Sequence, residues 1–142
     1  MKTKCHCGAV EITLPGKPAY MNDCNCTLCQ AIGGVWGYYA RADVQVRGET
    51  RTYTRTDLAD PAIDNHFCGV CSSTTHWTLT DAFQARHPEM DRVGVNMRLV
   101  GDPRELAGVE LRFPDGRSWD GATDRPQPRR APVVVIGGDG EF

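Results

Sequence analysis

Seven cysteines in three short clusters constrain this chain more than any other feature of its sequence. The central cluster spans residues 24 to 29, where C-x-C and C-x-x-C share their middle cysteine. The clusters are Cys24, Cys26 and Cys29 in the centre, Cys5 and Cys7 before them, and Cys68 and Cys71 after them. Thiolates are soft ligands that zinc favours, and a closed tetrahedral zinc site needs four ligands. Because two pairs complete one site and three thiols fall one short, we expect one structural zinc ion and one zinc ion with an open position.

Disulfides explain these cysteines less well than metal does. An odd number leaves one thiol unpaired in any disulfide framework. A C-x-C on an extended strand holds its Cα atoms about 6.5 Å apart, which is near the upper limit for a disulfide. Reduced, metal-binding cysteines are typical of cytosolic proteins, so we expect a cytoplasmic location.

Length and charge exclude several classes of partner. A chain of 142 residues predicts one domain with a modest core. Its formal net charge of -2 would become about -5 with seven thiolates and two zinc ions bound. Since phosphate binding depends on clustered Lys and Arg, we expect no nucleic-acid partner. No apolar run is long enough for a membrane helix, and no secretory segment is present at the N-terminus, so we expect no membrane partner either.

The hydrophobic pattern indicates a mainly β fold with short helical turns. Residues 4 to 14 alternate between apolar and polar side chains, which predicts a strand with Cys5 and Cys7 on one face. Further strands are predicted at residues 35–41, 50–55, 74–80, 93–99 and 109–113.

One helical turn is predicted inside the central cysteine cluster. Thr27 could cap it, and it would run from Leu28 to Ile32. Two of the cysteines would then lie near its N-terminal dipole, which lowers thiol pKa values. The Gly33-Gly34 pair that follows has two interpretations, a simple helix end and a contact with substrate.

The flanking pairs together form the closed site that we expect, although the spacing also permits other pairings of the three clusters. Its ligands would be Cys5, Cys7, Cys68 and Cys71. Three thiolates make a zinc ion electron-rich, so the open site would suit exchange of a soft ligand, such as a substrate thiolate, better than activation of water. The alternative is a fourth protein ligand at the open site, for which His6, His66 and Asp23 are candidates.

The remaining polar residues of interest have ordinary interpretations as well as functional ones. His66 and His76 flank the C-G-V-C segment and are either packed histidines or ligands. Arg51 and Arg55 share one face of a predicted strand, where they are either solvated or hold an acidic substrate, and Arg41 is a third candidate for that role.

The order of the motifs resembles a known family. C-x-C-G-x-V comes first, then C-x-C-x-x-C followed by Gly-Gly, then F-C-x-x-C. This order is similar to the glutathione-dependent formaldehyde-activating enzyme family, which shares its domain with centromere protein V. The stretches DRVGVNMRL and GVELRFPDGRSWDG are also similar to family members, so the resemblance covers nearly all of residues 4 to 121.

The resemblance implies a fold, two zinc ions and an activity. The fold would be Mss4-like, a β-tent around a structural zinc ion held by Cys5, Cys7, Cys68 and Cys71. A second zinc ion would be held by Cys24, Cys26 and Cys29, which would serve catalysis as its ligands. The implied activity is that of an S-(hydroxymethyl)glutathione synthase, a carbon–sulfur lyase in the reverse direction. Family members typically carry Gly where this chain has Ser72, and we expect that change to alter the turn and not the ligands.

The composition changes near the C-terminus. We expect the zinc-binding domain to occupy residues 1–122 and an extended tail, rich in Pro and Gly, to occupy residues 123–142. Within the tail, Val133 to Ile136 could form an edge strand that pairs with another chain, which makes a homodimer possible.

The leading functional hypothesis is a zinc-dependent, carbon–sulfur lyase-like enzyme. Its substrate would be a thiol adduct of formaldehyde or another small aldehyde, with glutathione as the candidate thiol. The alternative is a non-enzymatic zinc-binding module that serves a protein partner or buffers metal.

Overall fold

The fold is mainly β, as predicted. The structure, a computed structural model, describes residues 1–119 and 126–136. Within these ranges it contains eleven strands, two α-helices of six residues and three short 3-10 turns. The α-helices are α1 (Thr27–Ile32) and α2 (Asp81–Arg86), and the 3-10 turns are Arg41–Asp43, Met97–Leu99 and Pro103–Leu106.

The strands form two sheets. The smaller sheet contains β1 (Lys2–Lys4), β2 (Glu11–Thr13) and β5 (Gln45–Arg47), in that order. The larger sheet has the order β11 (Pro128–Val134), β10 (Glu110–Pro114), β3 (Tyr20–Asn22), β4 (Trp36–Tyr39), β9 (Val93–Asn96), β8 (Thr74–Leu79), β7 (Ile63–Cys68) and β6 (Thr50–Thr54). Its strand pairs are antiparallel except for β3 and β10, which run parallel.

Two apolar clusters hold these layers together. The main cluster joins the two sheets, because Ile12 of the smaller sheet packs with Met21, Val95 and Leu111 of the larger one. A second, aromatic cluster packs α1 onto the larger sheet around Trp36. The large sheet therefore supports α1, which contains Cys29 of the central cysteine cluster.

The prediction of a single strand over residues 4 to 14 is wrong. β1 ends at Lys4, a tight turn follows, and β2 begins at Glu11. Gly8 has a left-handed φ of 80°, and the Cys5 N–H donates to the Val10 carbonyl oxygen at 2.9 Å, which closes the turn. Cys5 and Cys7 therefore share a direction because a turn folds them together and not because a strand alternates.

Residues 128–134 belong to the larger sheet. β11 is an edge strand of that sheet and pairs antiparallel with β10 of the same chain, while Val135 is buried in the main cluster. The division of the chain at residue 122 remains a prediction, because residues 120–125 and 137–142 lie outside the described ranges.

Candidate metal centres

The two flanking cysteine pairs converge on one point. The sulfurs of Cys5, Cys7, Cys68 and Cys71 all lie within 4.8 Å of one another. The Cys5–Cys7 separation is 3.6 Å and the Cys7–Cys68 separation is 3.7 Å. Zn–S bonds of about 2.3 Å imply S···S separations of about 3.8 Å in a regular tetrahedron. The four sulfurs are therefore spaced for one tetrahedral ion.

Each pair is brought into position by a tight turn with hydrogen bonds to its sulfurs. The backbone N–H of Val10 donates to the Cys5 sulfur at 3.2 Å, and that of Val70 to the Cys68 sulfur at 3.4 Å. The Ser73 hydroxyl lies 3.3 Å from the Cys71 sulfur and lowers the pKa of that thiol to about 5. These contacts stabilise thiolates, which is the form that binds metal.

The central cysteines form a second group, which differs from the first in number and exposure. Their three sulfurs also lie within 4.8 Å of one another, and all three residues are half-buried. Cys26 is the N-cap of α1, and its sulfur accepts a hydrogen bond from the Cys29 N–H at 3.4 Å. The Cys24 sulfur accepts from the Cys26 N–H at 3.4 Å. The helix start therefore orients the group, although Cys26 and not Thr27 caps it.

Gly33 and Gly34 both have structural roles. Gly33 ends α1 in the left-handed conformation with a φ of 63°. A Cβ on Gly34 would lie 2.4 Å from Cζ2 of Trp36, so a side chain would not fit. Trp36 lies under the helix, and its indole N–H donates to the Cys29 sulfur at 3.2 Å. The helix-end interpretation of the glycine pair is thus supported.

The thiols of the central group differ in their pKa values. Hydrogen bonds from the thiols of Cys24 and Cys29 lower the pKa of Cys26. The neighbouring sulfurs of Cys24 and Cys26, together with burial, raise the pKa of Cys29. Three thiolates this close together repel one another, so they ionise together only around a cation. The chemistry of this group therefore fits a divalent metal ion.

None of the three candidate fourth ligands joins the central group. Among the described residues, no His, Asp or Glu ligand atom completes that group. The Asp23 carboxylate pairs with Arg129 at 3.3 Å, and the exposed His6 donates its backbone N–H to Ser73. The ring of His66 lies between the hydroxyls of Thr50 and Thr78.

His76 is also a packed histidine in this structure. Its ring stacks on that of His66, with centroids 4.3 Å apart. Burial, reinforced by the neighbouring His66, lowers the pKa of His76 to about 3. Neither histidine is part of either cysteine group.

Residues from the far end of the chain complete the surroundings of the central group. Gly116 packs so closely that a Cβ there would lie 2.4 Å from the Cys24 sulfur. Asn25 donates to the Asp115 carboxylate at 2.7 Å and accepts from the Arg117 N–H at 3.1 Å. The P-D-G sequence predicts a turn at this point, but nothing local in the sequence indicates that the turn contacts cysteines about ninety residues away.

A shallow cleft opens beside the first turn of α1. It has a volume of about 160 Å³, and its lining residues are Thr27, Leu28, Tyr53, Arg55 and Asp57. Arg55 pairs with Asp57 at 2.6 Å, and both that carboxylate and the Cys26 thiolate raise the pKa of the guanidinium. Of the three arginines considered from the sequence, Arg55 therefore lies where it can interact with the charge of the central group.

Comparison with known proteins agrees with this geometry. The family model of the glutathione-dependent formaldehyde-activating enzyme matches residues 1–107. The chain belongs to this family. The matched range contains all seven cysteines, whereas Gly116 and Arg129 lie beyond it. The resemblance drawn from the cysteine motifs is thereby confirmed.

A solved structure shows the same fold. A crystal structure of a Rhodobacter sphaeroides protein is 28% identical to this chain, with a TM-score of 0.57. The match covers 80% of this chain and 99% of the other. No curated protein matches the chain. The mainly β, Mss4-like fold expected from the sequence is confirmed, and a family named for an enzyme supports an enzymatic role in general terms.

A membrane-spanning helix is not found among residues 1–119 and 126–136, where both α-helices are only six residues long.

Proposed function

We propose that the chain is a two-zinc enzyme of the carbon–sulfur lyase type, acting on the adduct of a thiol with formaldehyde or another small aldehyde. In this proposal Cys5, Cys7, Cys68 and Cys71 hold a structural zinc ion, and Cys24, Cys26 and Cys29 hold the zinc ion of the reaction. Glutathione is the candidate thiol because the family is named for it.

The observation that carries this proposal is the difference between the two cysteine groups. Four sulfurs close one site, and three half-buried sulfurs leave the other with room for a further ligand. Structural zinc sites are filled by protein ligands, while catalytic sites keep one position for substrate. A zinc ion in the second site would supply a Lewis acid that lowers the pKa of a substrate thiol or polarises a carbonyl.

The proposed reaction forms one C–S bond and converts the carbonyl group of the aldehyde to a hydroxyl group. The substrate thiolate donates its electron pair to the carbonyl carbon, which forms the C–S bond. The carbonyl π electrons move to oxygen, which takes up a proton from water. In the reverse direction the hydroxyl loses this proton, the C=O bond re-forms and the C–S bond breaks.

Nearby arginines offset the negative charge that this chemistry gathers. Three thiolates and one zinc ion carry a net charge of about -1, which becomes about -2 when a substrate thiolate joins them. Arg55 lines the cleft beside the first turn of α1. The Arg117 guanidinium donates to the Gln30 side chain on α1, and the Arg129 guanidinium donates to the Asp23 carbonyl oxygen. Arg55 is the candidate contact for a carboxylate of the thiol substrate, which would take the place of its present partner Asp57, because Arg55 lines the cleft.

Rates of adduct formation and breakdown test the proposal. NMR exchange spectroscopy would measure them for formaldehyde with glutathione and with 2-mercaptoethanol, which has no carboxylate. The zinc-loaded protein should accelerate exchange, and Cys26→Ser, still folded, should not. Arg55→Gln should raise the KM for glutathione about tenfold and leave that for 2-mercaptoethanol unchanged. Arg47→Gln, on β5 in the smaller sheet, is the matched control.

Two results would count against the proposal. If the two-zinc protein accelerates exchange with neither thiol, the chain is better described as a non-enzymatic zinc-binding module. If Cys26→Ser remains as active as the wild type, the central cysteines are not the reaction centre. The proposed chemistry also requires reduced cysteines, which is consistent with a cytoplasmic location.

A further inference from the structure

The indole of Trp36 makes an unusual contact with a candidate metal ligand. Its Nε1–H donates to the Cys29 sulfur at 3.2 Å, and the residue is only 3% exposed. The other two central sulfurs accept hydrogen bonds from backbone N–H groups, those of Cys26 and Cys29. Among these three contacts, only the one from Trp36 can be removed by a side-chain substitution.

Several neighbours fix the position of this indole. Trp36 begins β4, and Gly34 leaves space for its ring that a Cβ would fill. The ring of Trp77 packs against it edge-on, with centroids 6.5 Å apart. Trp77 is itself fitted against Gly94, where a Cβ would lie 2.1 Å from its Nε1. Two glycines therefore make room for an aromatic pair that holds the N–H against the sulfur.

A hydrogen bond to a thiolate reduces its reactivity. The N–H withdraws electron density from the sulfur, so the thiolate becomes a weaker nucleophile and a weaker electron donor to a metal. This matters at a site that handles an aldehyde. A carbonyl carbon near the second site could be attacked by a cysteine ligand as well as by the substrate thiolate, which would leave the ligand hydroxymethylated.

We propose that Trp36 is a positioning residue that holds the Cys29 sulfur as a metal ligand and lowers its nucleophilicity, so that an aldehyde reacts with the substrate thiolate and not with the protein. This inference rests on the proposed function for the identity of the electrophile. The underlying effect, a less reactive Cys29 sulfur, does not depend on that function.

The test compares Trp36→Phe with Trp77→Phe. Both changes remove an indole from the same aromatic cluster, but only the first removes the donor to the Cys29 sulfur. Cobalt(II) replaces zinc in each variant, and the sulfur-to-cobalt charge-transfer band is recorded. Alkylation by iodoacetamide and by formaldehyde is then followed at each cysteine by mass spectrometry.

In Trp36→Phe we expect the band to move to longer wavelength and alkylation of Cys29 to become about tenfold faster. In Trp77→Phe both should stay close to the wild type. If Trp36→Phe does not fold, an isostere of Trp at position 36, with the ring N–H replaced by sulfur, takes its place. A folded, metal-loaded variant with an unchanged band and an unchanged rate at Cys29 would overturn the inference.

These outcomes are separable from those of the proposed function. Cobalt spectra and alkylation rates report on the Cys29 sulfur whether or not the protein turns over a substrate. A wild type that loads two metal ions, shows the expected difference between the variants and yet accelerates no adduct exchange would support the role of Trp36 and contradict the proposed enzyme.

Discussion

Ser72 has a backbone conformation that non-glycine residues rarely adopt. Among the described residues it alone has a positive φ, 61°, without being glycine. Its N–H donates to the Cys68 carbonyl oxygen at 2.9 Å, and the Cys68 N–H donates to the Ser73 carbonyl oxygen at 3.0 Å, so the turn imposes this conformation. The left-handed region costs an ordinary L-residue about 1 kcal/mol or more.

Ser72→Gly should therefore raise the free energy of unfolding by about 1 kcal/mol, less the entropy that glycine adds to the unfolded chain. Denaturant unfolding of zinc-loaded protein measures the change. Ser72→Ala is the control, because it removes the hydroxyl and keeps the strain, so it should bring no gain. A Ser72→Gly protein that is less stable than the wild type would show that the turn is not strained.

For individual residues, the sequence predicts the grouping of the cysteines better than it predicts the residues around them. Cysteines are rare, chemically specific and clustered, so their number alone suggests a group of four and a group of three. The sheet order brings Gly116 and Arg129 to the central group, and no local sequence pattern indicates contacts between residues so far apart in the chain. The sequence likewise offers Arg41, Arg51 and Arg55 as equals, whereas the fold places Arg55 at the cleft.

Among the elements, the pairing of β7 with β8 brings two histidines face to face. His66 lies opposite His76 in the register, and their rings stack between threonine hydroxyls. Burial lowers the pKa of both, that of His76 from 6.5 to about 3. Between those two values the unfolded chain binds a proton at this position that the folded protein does not bind.

The free energy of unfolding should therefore fall as the pH decreases from 6.5 toward 3. His76 accounts for a decrease of up to about 1.4 kcal/mol per pH unit. Above pH 6.5 His76 is neutral in both the folded and the unfolded state, so this loss of stability is absent. Denaturant unfolding of His76→Gln between pH 7.5 and 5.5 should show a shallower slope than the wild type, since acid release of metal affects both proteins alike. His87→Gln, at a half-buried histidine on the C-cap of α2, is the control. Equal slopes in wild type and His76→Gln would contradict the prediction.

The elements were predictable to the extent that local pattern determines them. The short helix in the central cluster and most of the strands follow from β-branched residues, turns and capping signals. The first strand was mispredicted because residues 4 to 14 alternate in polarity although a glycine turn divides them. The pairing of β11 with β10 could not be deduced, because an edge strand looks the same whichever chain it joins.

For the whole molecule, the two cysteine groups occupy different structural positions. Cys5 and Cys7 lie on the turn between β1 and β2 of the smaller sheet, while Cys68 ends β7 of the larger sheet. A metal ion bound by these cysteines would link the two sheets across more than sixty residues of sequence. The central group lies at the start of α1, and its Cys29 packs against the aromatic cluster and not against the main apolar cluster.

Cys5→Ser should therefore prevent stable folding, because a metal ion that joined the two sheets would contribute to the folding free energy. Cys26→Ser should give a folded protein with one zinc ion in place of two. Circular dichroism and metal analysis of both variants measure these outcomes. If Cys26→Ser unfolds the chain as Cys5→Ser does, both sites are structural.

The most direct test of one structural and one exchangeable zinc site is the number of zinc ions per purified chain. This number is measured before and after a short exposure to a mild chelator, and circular dichroism is recorded each time. We expect two ions at first and one afterwards, with the fold retained. One ion from the start, two that never exchange, or loss of the fold together with the first ion released would contradict it.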